Sequence, residues 1–197
     1  MLADATKEQD QLHQWVEHLQ AGLRALSATV NNVLHFHAEV PTPRLLVDLG
    51  RLLEDTIEFL RPLALQRGLG LDLVGLNEET LVYADPHRLQ QVFFNLAQNA
   101  FRASTPGSLV RLQVRKTTMA DRDQVEIDFV DHGAGIPPEN LSKIFEPGFS
   151  TNPGSPGLGL AVCRKVAAQH QGEIRVRSTP DHGATFTLTI PLARRSA

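Results

Sequence analysis

The segment Asp131-His132-Gly133-Ala134-Gly135, followed about twenty residues later by Gly157-Leu158-Gly159-Leu160, constrains this chain more than any other part of it. The first segment ends Val125-Glu126-Ile127-Asp128-Phe129-Val130, which reads as a buried strand. The second opens a run that reads as a helix. A carboxylate at a strand end can accept from the exocyclic amine of a base. Bare glycine backbone and a helix N-terminus can meet phosphates. Together they predict a pocket for a purine nucleotide.

Length and charge leave room for that pocket and remove some rivals. At 197 residues the chain holds one full domain plus an appendage. A formal net charge of -3 gives no basic footprint for nucleic acid. The single cysteine, Cys163, excludes an intrachain disulfide framework and suits a reducing compartment. It falls in an apolar helical run and reads as a small core residue. No apolar run approaches the ~20 residues that span a bilayer. Met1 to Thr6 lacks the regions of a signal peptide. A cytoplasmic, soluble chain without a membrane segment is expected, although a longer parent could carry an anchor.

From about residue 7 to 38 there is no proline and one glycine, Gly22. Leu12, Val16, Leu19, Leu23, Leu26, Val30 and Val33 step alternately by four and three. That is a heptad seam over residues 1–40, and a seam this narrow needs another helix to cover it. The cover is expected from a second chain, as in a homodimer, or from a missing segment. The alternative is that the helix lies on the domain that follows.

Pro41-Thr42-Pro43 predicts a linker over 41–46. Asp48 predicts the N-cap of a helix through Leu49, Leu53, Ile57 and Leu60, with Pro62 bending or shortening its end. Leu71 to Leu76 and Leu81 to Ala84 predict short strands. Asp85-Pro86 starts a helix to about Ala103, with Leu89, Val92, Phe93, Leu96 and Ala100 inward. Val110, Leu112 and Val114 alternate with Leu109, Arg111, Gln113 and Arg115; Val125, Ile127 and Phe129 alternate with Glu126 and Asp128. Eight of the 14 glycines lie from Gly133 to Gly183, a loop-rich region broken by a helix over about 158–170. Glu173 to Arg177 and Thr185 to Ile190 predict a hairpin turned at Pro180-Asp181-His182-Gly183. The order argues for an α+β domain with helices on one face of a mixed sheet.

Asn95 and Asn99 fall four apart on one helical face. Asparagine is a poor helix former. Magnesium between nucleotide phosphates takes only one or two protein oxygens, and one amide can supply such a ligand. Two solvated side chains on an exposed face would look the same. Arg102, one turn on, can add a cation for phosphate. Gly154, Gly157 and Gly159 run in the reverse order of a dinucleotide fingerprint, and no Gly-Lys-Ser/Thr makes a Walker loop. His35 and His37 flank Phe36 but share no helix face, so they read as a solvated helix end rather than a metal site.

Asn95-x-x-x-Asn99-Ala100, Asp131-x-Gly133-x-Gly135, Phe145-Glu146-Pro147-x-Phe149, Gly157-Leu158-Gly159-Leu160 and Gly183-Ala184-Thr185 occur in this order. They resemble the N, G1, F, G2 and G3 boxes of sensor histidine kinases. The resemblance covers roughly residues 47 to 192. It implies a Bergerat fold over 47–193: a two-layer sandwich of a mixed, largely antiparallel sheet with helices on one face. The heptad segment ending at Val30 to Phe36 resembles the second helix of the family's dimerisation hairpin.

The resemblance further implies roles. ATP and Mg2+ would be bound, with Asn99 as the magnesium ligand and Asn95 beside it at the phosphates. Arg102 would lie near the phosphates. Asp131 would accept from the adenine amine with Thr185 close by, and Gly133 and Gly135 would let the backbone approach the base. Phe145 to Thr151, including Phe149, would begin a mobile lid. Gly157, Leu158, Gly159 and Leu160 would form the turn against the triphosphate. Related hydrolases have a glutamate at the position of Asn95, and an amide cannot be that base. The implied activity is phosphoryl transfer from ATP to a histidine, then to a response regulator.

The chain departs from the family at the acceptor. Its eight histidines are followed by Gln14, Leu19, Phe36, Ala38, Arg88, Gly133, Gln171 and Gly183, none acidic. A fragment of a longer kinase, or a shortened one, is expected, unable to phosphorylate itself alone. The alternatives are a non-catalytic ATP-binding dimerising module, or a serine kinase of the anti-sigma-factor type, against which the heptad helix argues.

Overall fold

The structure, a computed structural model, describes residues 43–76, 78–119, 122–152 and 155–193. The heptad segment and the first part of the expected linker lie outside the described residues. Leu45 and Leu46, expected in the linker, instead open strand β1 (Leu45–Asp48), which pairs antiparallel with β3 (Leu81–Ala84). The alternating strand pairing outweighs the prolines because both prolines precede Leu45.

Helix α1 (Leu49–Gln66) starts where Asp48 predicts: its carboxylate accepts from the N–H of Gly50 at 3.0 Å. Pro62 does not shorten it, and the helix runs on to Gln66. The ring lies on the exposed side, where the carbonyl it displaces can be hydrated. Strand β2 (Gly70–Val74) ends before Gly75, whose φ is +91°. Helix α2 (Pro86–Ala103) is capped by Asp85, which accepts from His87 and Arg88 N–H at 2.9 and 3.2 Å. Strands β4 (Leu109–Met119) and β5 (Arg122–Val130) follow. Beyond them come a one-turn helix α3 (Pro138–Leu141), helix α4 (Gly159–Gln169), and strands β6 (Glu173–Ser178) and β7 (Ala184–Pro191).

The main sheet has the order β2-β4-β5-β7-β6. Only β2 and β4 run parallel; the other neighbours are antiparallel. This is the mixed, largely antiparallel sheet that the sequence predicts. Val125, Ile127 and Phe129 of β5, with Leu188 and Ile190 of β7, are buried against the helical layer. Phe93 of α2 meets Phe129 with ring centroids 6.1 Å apart. Losing either ring should cost about 3–5 kcal/mol.

The opposite face of β5 is buried too, contrary to its polar pattern. Glu126 is 9% exposed and Asp128 5%. Arg115 lies across both carboxylates, Arg175 pairs with Glu126 at 3.0 Å, and the Thr187 hydroxyl donates to Asp128 at 2.6 Å. Long arginine stems therefore cover the carboxylates they neutralise.

His170 joins the end of α4 to the start of α2. It is 4% exposed. Its Nε2 accepts from the Asp85 N–H at 3.0 Å, and Nδ1 lies 2.8 Å from the Val166 carbonyl. One partner can only donate and the other only accept, so the ring is neutral with its proton on Nδ1. Burial lowers its pKa, against the Val166 bond, which raises it; Arg44 and Arg88 lower it further, and Asp85 raises it. A depressed histidine pKa means that the unfolded chain binds the proton first. Stability is therefore complete above about pH 6.5 and declines as pH falls through the unfolded value toward the folded one. Thermal midpoints measured from about pH 7.5 to 5.5 should fall more steeply for the wild type than for His170→Gln. Parallel curves would remove His170 from the acid response.

Candidate functional site

A cavity of about 520 Å³ opens between α2, the loop after β5, the 142–158 segment and the start of α4. Each wall has a local cause. The good cap at Asp85 fixes the helical phase of α2, which places Asn99 and Arg102 in the wall. Strand β5 delivers Asp131 at its end, and β7 contributes Ala184 and Phe186. Helix α4 begins without a side-chain cap, and its Gly159 and Leu160 are in the wall. Its first N–H groups thus lack a side-chain acceptor near the cavity, the usual setting for an anion.

Asp131 is 3% exposed. Its Oδ1 accepts from Gly133 N–H at 3.0 Å and Ala184 N–H at 3.2 Å. No bond within the described residues uses Oδ2, which remains as the acceptor for a ligand. Desolvation raises the Asp131 pKa, while the two N–H bonds and His132 lower it. Gly133 and Gly135 shape this loop by approaching the chain itself. A Cβ on Gly133 would stand 2.1 Å from the Ala103 carbonyl oxygen; Gly135 has φ +68°, and a Cβ there would stand 2.2 Å from the Thr179 carbonyl oxygen.

Asn99 Oδ1 accepts a hydrogen bond from the Arg102 guanidinium. An amide oxygen has a second lone pair, so it can still ligate a hard cation. Among the described residues no group of three His, Cys, Asp or Glu side chains could hold a metal by itself. The donor set therefore fits an ion whose other ligands are phosphate and water. Loss of hydration, then the like charge of Arg67, lowers the Arg102 pKa. It remains a cation at neutral pH.

Asn99, Arg102, Asp131, Gly135, Phe149, Gly157, Gly159 and Leu160 come together in the wall. Asn95, Gly133, Phe145, Leu158 and Thr185 do not. The Asn95 amide donates to the Gly159 carbonyl at a long 3.4 Å and touches the Cys163 thiol, whose pKa burial pushes up to about 12. It joins α2 to α4 instead of facing the cavity. Phe145 is core: it packs edge-on to Phe186 at 6.4 Å, and Arg164 lies 5.9 Å from its centroid. Leu158 is the residue before α4. Thr185 is replaced in the wall by Ala184 and Phe186, because strand neighbours point to opposite faces.

Sequence reasoning missed Ile136, Asn140 and Ile144. All three line the cavity. Asn140 and Ile144 lie four apart, with the Ile144 N–H on the Asn140 carbonyl at 3.0 Å. That spacing was the available signal. Among the described residues no Glu, His, Lys or Cys side chain is in the wall, and its one carboxylate is Asp131. The site can hold and orient a polyphosphate.

This architecture matches known proteins. Residues 84–194 match the family described as histidine kinase-, DNA gyrase B-, and HSP90-like ATPase. The chain belongs to this family. It is 34% identical over 187 residues to the signal transduction histidine-protein kinase AtoS of Escherichia coli K12, covering 93% of this chain and 30% of AtoS. It is 30% identical over 190 residues to the sensor histidine kinase ZraS of Klebsiella oxytoca, covering 96% of this chain and 40% of ZraS. The chain thus spans well under half of these relatives. Full-length ShkA in complex with AMPPNP superposes with a TM-score of 0.76 at 29% identity, covering 90% of this chain and 38% of that one. The catalytic domain of histidine kinase ThkA gives 0.63 at 28% identity, covering 76% and 96%. The chain carries the histidine-kinase-like ATPase domain of sensor kinases. Among the described residues no helix is long and apolar enough to cross a membrane.

Because its pKa is raised, Asp131 binds a proton more readily folded than unfolded. Its contribution to stability therefore falls as pH rises from the unfolded value through the folded one. Asp131→Asn should raise the thermal midpoint of the ligand-free protein at neutral pH. The gain should shrink toward pH 3–4, about where the unfolded carboxyl is also protonated. A lower midpoint at neutral pH would show that the two N–H bonds outweigh desolvation.

Proposed function

We propose that this chain binds Mg-ATP and serves as the catalytic part of a two-component sensor kinase. The γ-phosphate would pass to a histidine outside this chain, and then to a response-regulator aspartate. The observation that carries the reading is a cavity that joins Asn99, Arg102 and the uncapped start of α4, and whose one carboxylate among the described residues, Asp131, would be taken up by the nucleotide base. ATP held there is oriented but protected from water, so the phosphoryl group goes to an outside nucleophile.

Asp131 Oδ2 would accept from the adenine amine, held in place by Gly133 and Ala184. Ile136, Ile144 and Phe186 give the base apolar contact. Asn99 would hold Mg2+, which neutralises charge developing between the phosphates. Arg102 keeps the Asn99 amide turned and adds a cation. The first turn of α4 meets the phosphates, and Phe149 closes the lid side. Asn95 acts from behind, fixing α2 against Gly159. The partners are the acceptor-bearing helix and a response regulator, with dimerisation expected through the heptad segment.

Asn99→Ala and Asp131→Asn should each weaken Mg-ATP binding by at least about tenfold, the loss of one charge-assisted or metal bond. In Asp131→Asn the two backbone donors claim the amide oxygen, leaving an NH2 group against the adenine amine. Calorimetric titration decides: equal affinity in wild type and both variants would sink the site. Labelled ATP, mixed with this chain and a hairpin bearing an acceptor histidine, should label the hairpin. Binding without transfer would instead favour a nucleotide-sensing module.

A further inference from the structure

One half-buried amide in the cavity wall has no task within the described residues. Asn140 belongs to the one-turn helix α3, where its backbone is fully bonded. Its N–H donates to the Pro137 carbonyl at 2.9 Å, and its carbonyl accepts from the N–H groups of Lys143 and Ile144 at 2.9 and 3.0 Å. Its side chain lines the cavity, and no hydrogen bond among the described residues uses the amide.

The other polar groups of the wall are accounted for. Asn99 holds Arg102, and Asp131 holds two backbone N–H groups. The Ser150 hydroxyl bonds to the backbone of Asn152. Thr151 and Asn152 are exposed, so water satisfies their side chains. Ser155 is half-buried but stands two residues before Gly157, on the side assigned to phosphate. Asn140 stands among apolar groups instead. Ile136 and Ile144, four residues before and after it, share the wall with Pro137 and Phe186. Its place is fixed from both sides: Ile136 N–H donates to the Ser178 hydroxyl at 2.9 Å, and Ile144 is buried. A solvated asparagine on a turn is the ordinary reading of such a residue. It does not explain an amide half removed from water beside apolar neighbours, where a missing bond costs stability. The chain runs from Asp131 through Gly135 directly into Ile136, all of them in the wall. That continuity groups Asn140 with the nucleoside and not with the phosphates.

We infer that the Asn140 amide reads the adenine base, its Nδ2 donating to a ring nitrogen. This deepens the reading of the cavity as an ATP site and rests on it. The chemistry selects the atom. With the exocyclic amine on Asp131 Oδ2, the ring nitrogens of adenine remain, and these only accept. The NH2 end of the amide is therefore the end that meets them. Asp131 fixes one edge of the base and Asn140 another, so the ring is oriented as well as held. Asn140 thus determines specificity and takes no part in the transfer.

The test titrates the full chain, with magnesium, against ATP, 2′-deoxy-ATP and three analogues with carbon in place of one adenine ring nitrogen each. Asn140→Leu keeps the size of the side chain and removes its donor. It should weaken ATP binding about three- to tenfold, as should Asn140→Ala, the usual loss for one neutral hydrogen bond. One ring analogue should bind the wild type more weakly than ATP by a similar factor. In Asn140→Leu that analogue and ATP should bind alike, because the bond is already gone. Inorganic triphosphate, followed by competition, should bind the wild type and both variants equally. Wild-type ATP affinity in both variants would overturn the assignment. So would ring-analogue penalties that survive the substitution, or a 2′-deoxy penalty that vanishes in their place, which would assign the amide to the ribose. A matching loss for triphosphate would show a structural effect and overturn it too. If the wild type fails to bind ATP at all, the nucleotide reading falls and the role of Asn140 with it. If Asn99→Ala loses ATP while Asn140→Leu and Asn140→Ala do not, only the role of Asn140 falls.

Discussion

The bond pair from the N–H groups of Gly133 and Ala184 to one oxygen of Asp131 is the point on which this site depends. It ties the end of β5 to its own loop and to the start of β7. The same loop is held to α2, because Gly133 lies against the Ala103 carbonyl and Ala134 N–H donates to it at 3.3 Å. It is also held to the β6–β7 turn, where Asp181 N–H donates to the Ala134 carbonyl at 2.8 Å and Ile136 N–H to the Ser178 hydroxyl at 2.9 Å. Three elements thus fix where Oδ2 points. A side chain on Gly133 would separate two of them.

The site is assembled from groups that the fold leaves uncomfortable. Asp131 is desolvated beyond what its two N–H partners offset. Arg102 is short of water, which lowers its pKa. Helix α4 starts without a side-chain cap. Each defect is local, and the core between helices and sheet compensates with Phe93, Leu96, Phe129 and Leu188, all wholly buried. This is the pattern expected where function, not stability, chose the residues. A ligand that donates to Oδ2 and brings phosphate to Arg102 and the helix start relieves all three.

Much of this was legible because the signals were local. Asp48 and Asp85 announced their helices through cap chemistry, and the hairpin of β6 and β7 through its turn residues. Strand phase should have spoken as clearly at Thr185. Ala184 and Phe186 share one face, so Thr185 cannot face the cavity with them. Asn95 lies a turn from Asn99 along α2, where its amide reaches the Gly159 carbonyl at the start of α4, a contact across sixty-four residues that no local pattern announces. Phe145 was legible as part of a motif but not as core, because its partner Phe186 is forty-one residues away in sequence. Pairings across that distance leave no local pattern. The buried side of Glu126 and Asp128 was hidden for the same reason: their cover comes from arginines on two other strands.

A ligand that takes up Asp131 Oδ2 would leave water no general base in the described wall. Hydrolysis would need water, a base and an aligned phosphate at once. Here one oxygen of the buried carboxylate is held by backbone donors, and the amides of Asn95 and Asn99 cannot take a proton. Among the described residues from Ser142 to Leu158, a segment that carries Phe149 and Gly157 and borders the cavity, only Ile144 and Phe145 are buried. Those two anchor its beginning, and Gly148 N–H on the Gly157 carbonyl at 3.1 Å closes its loop.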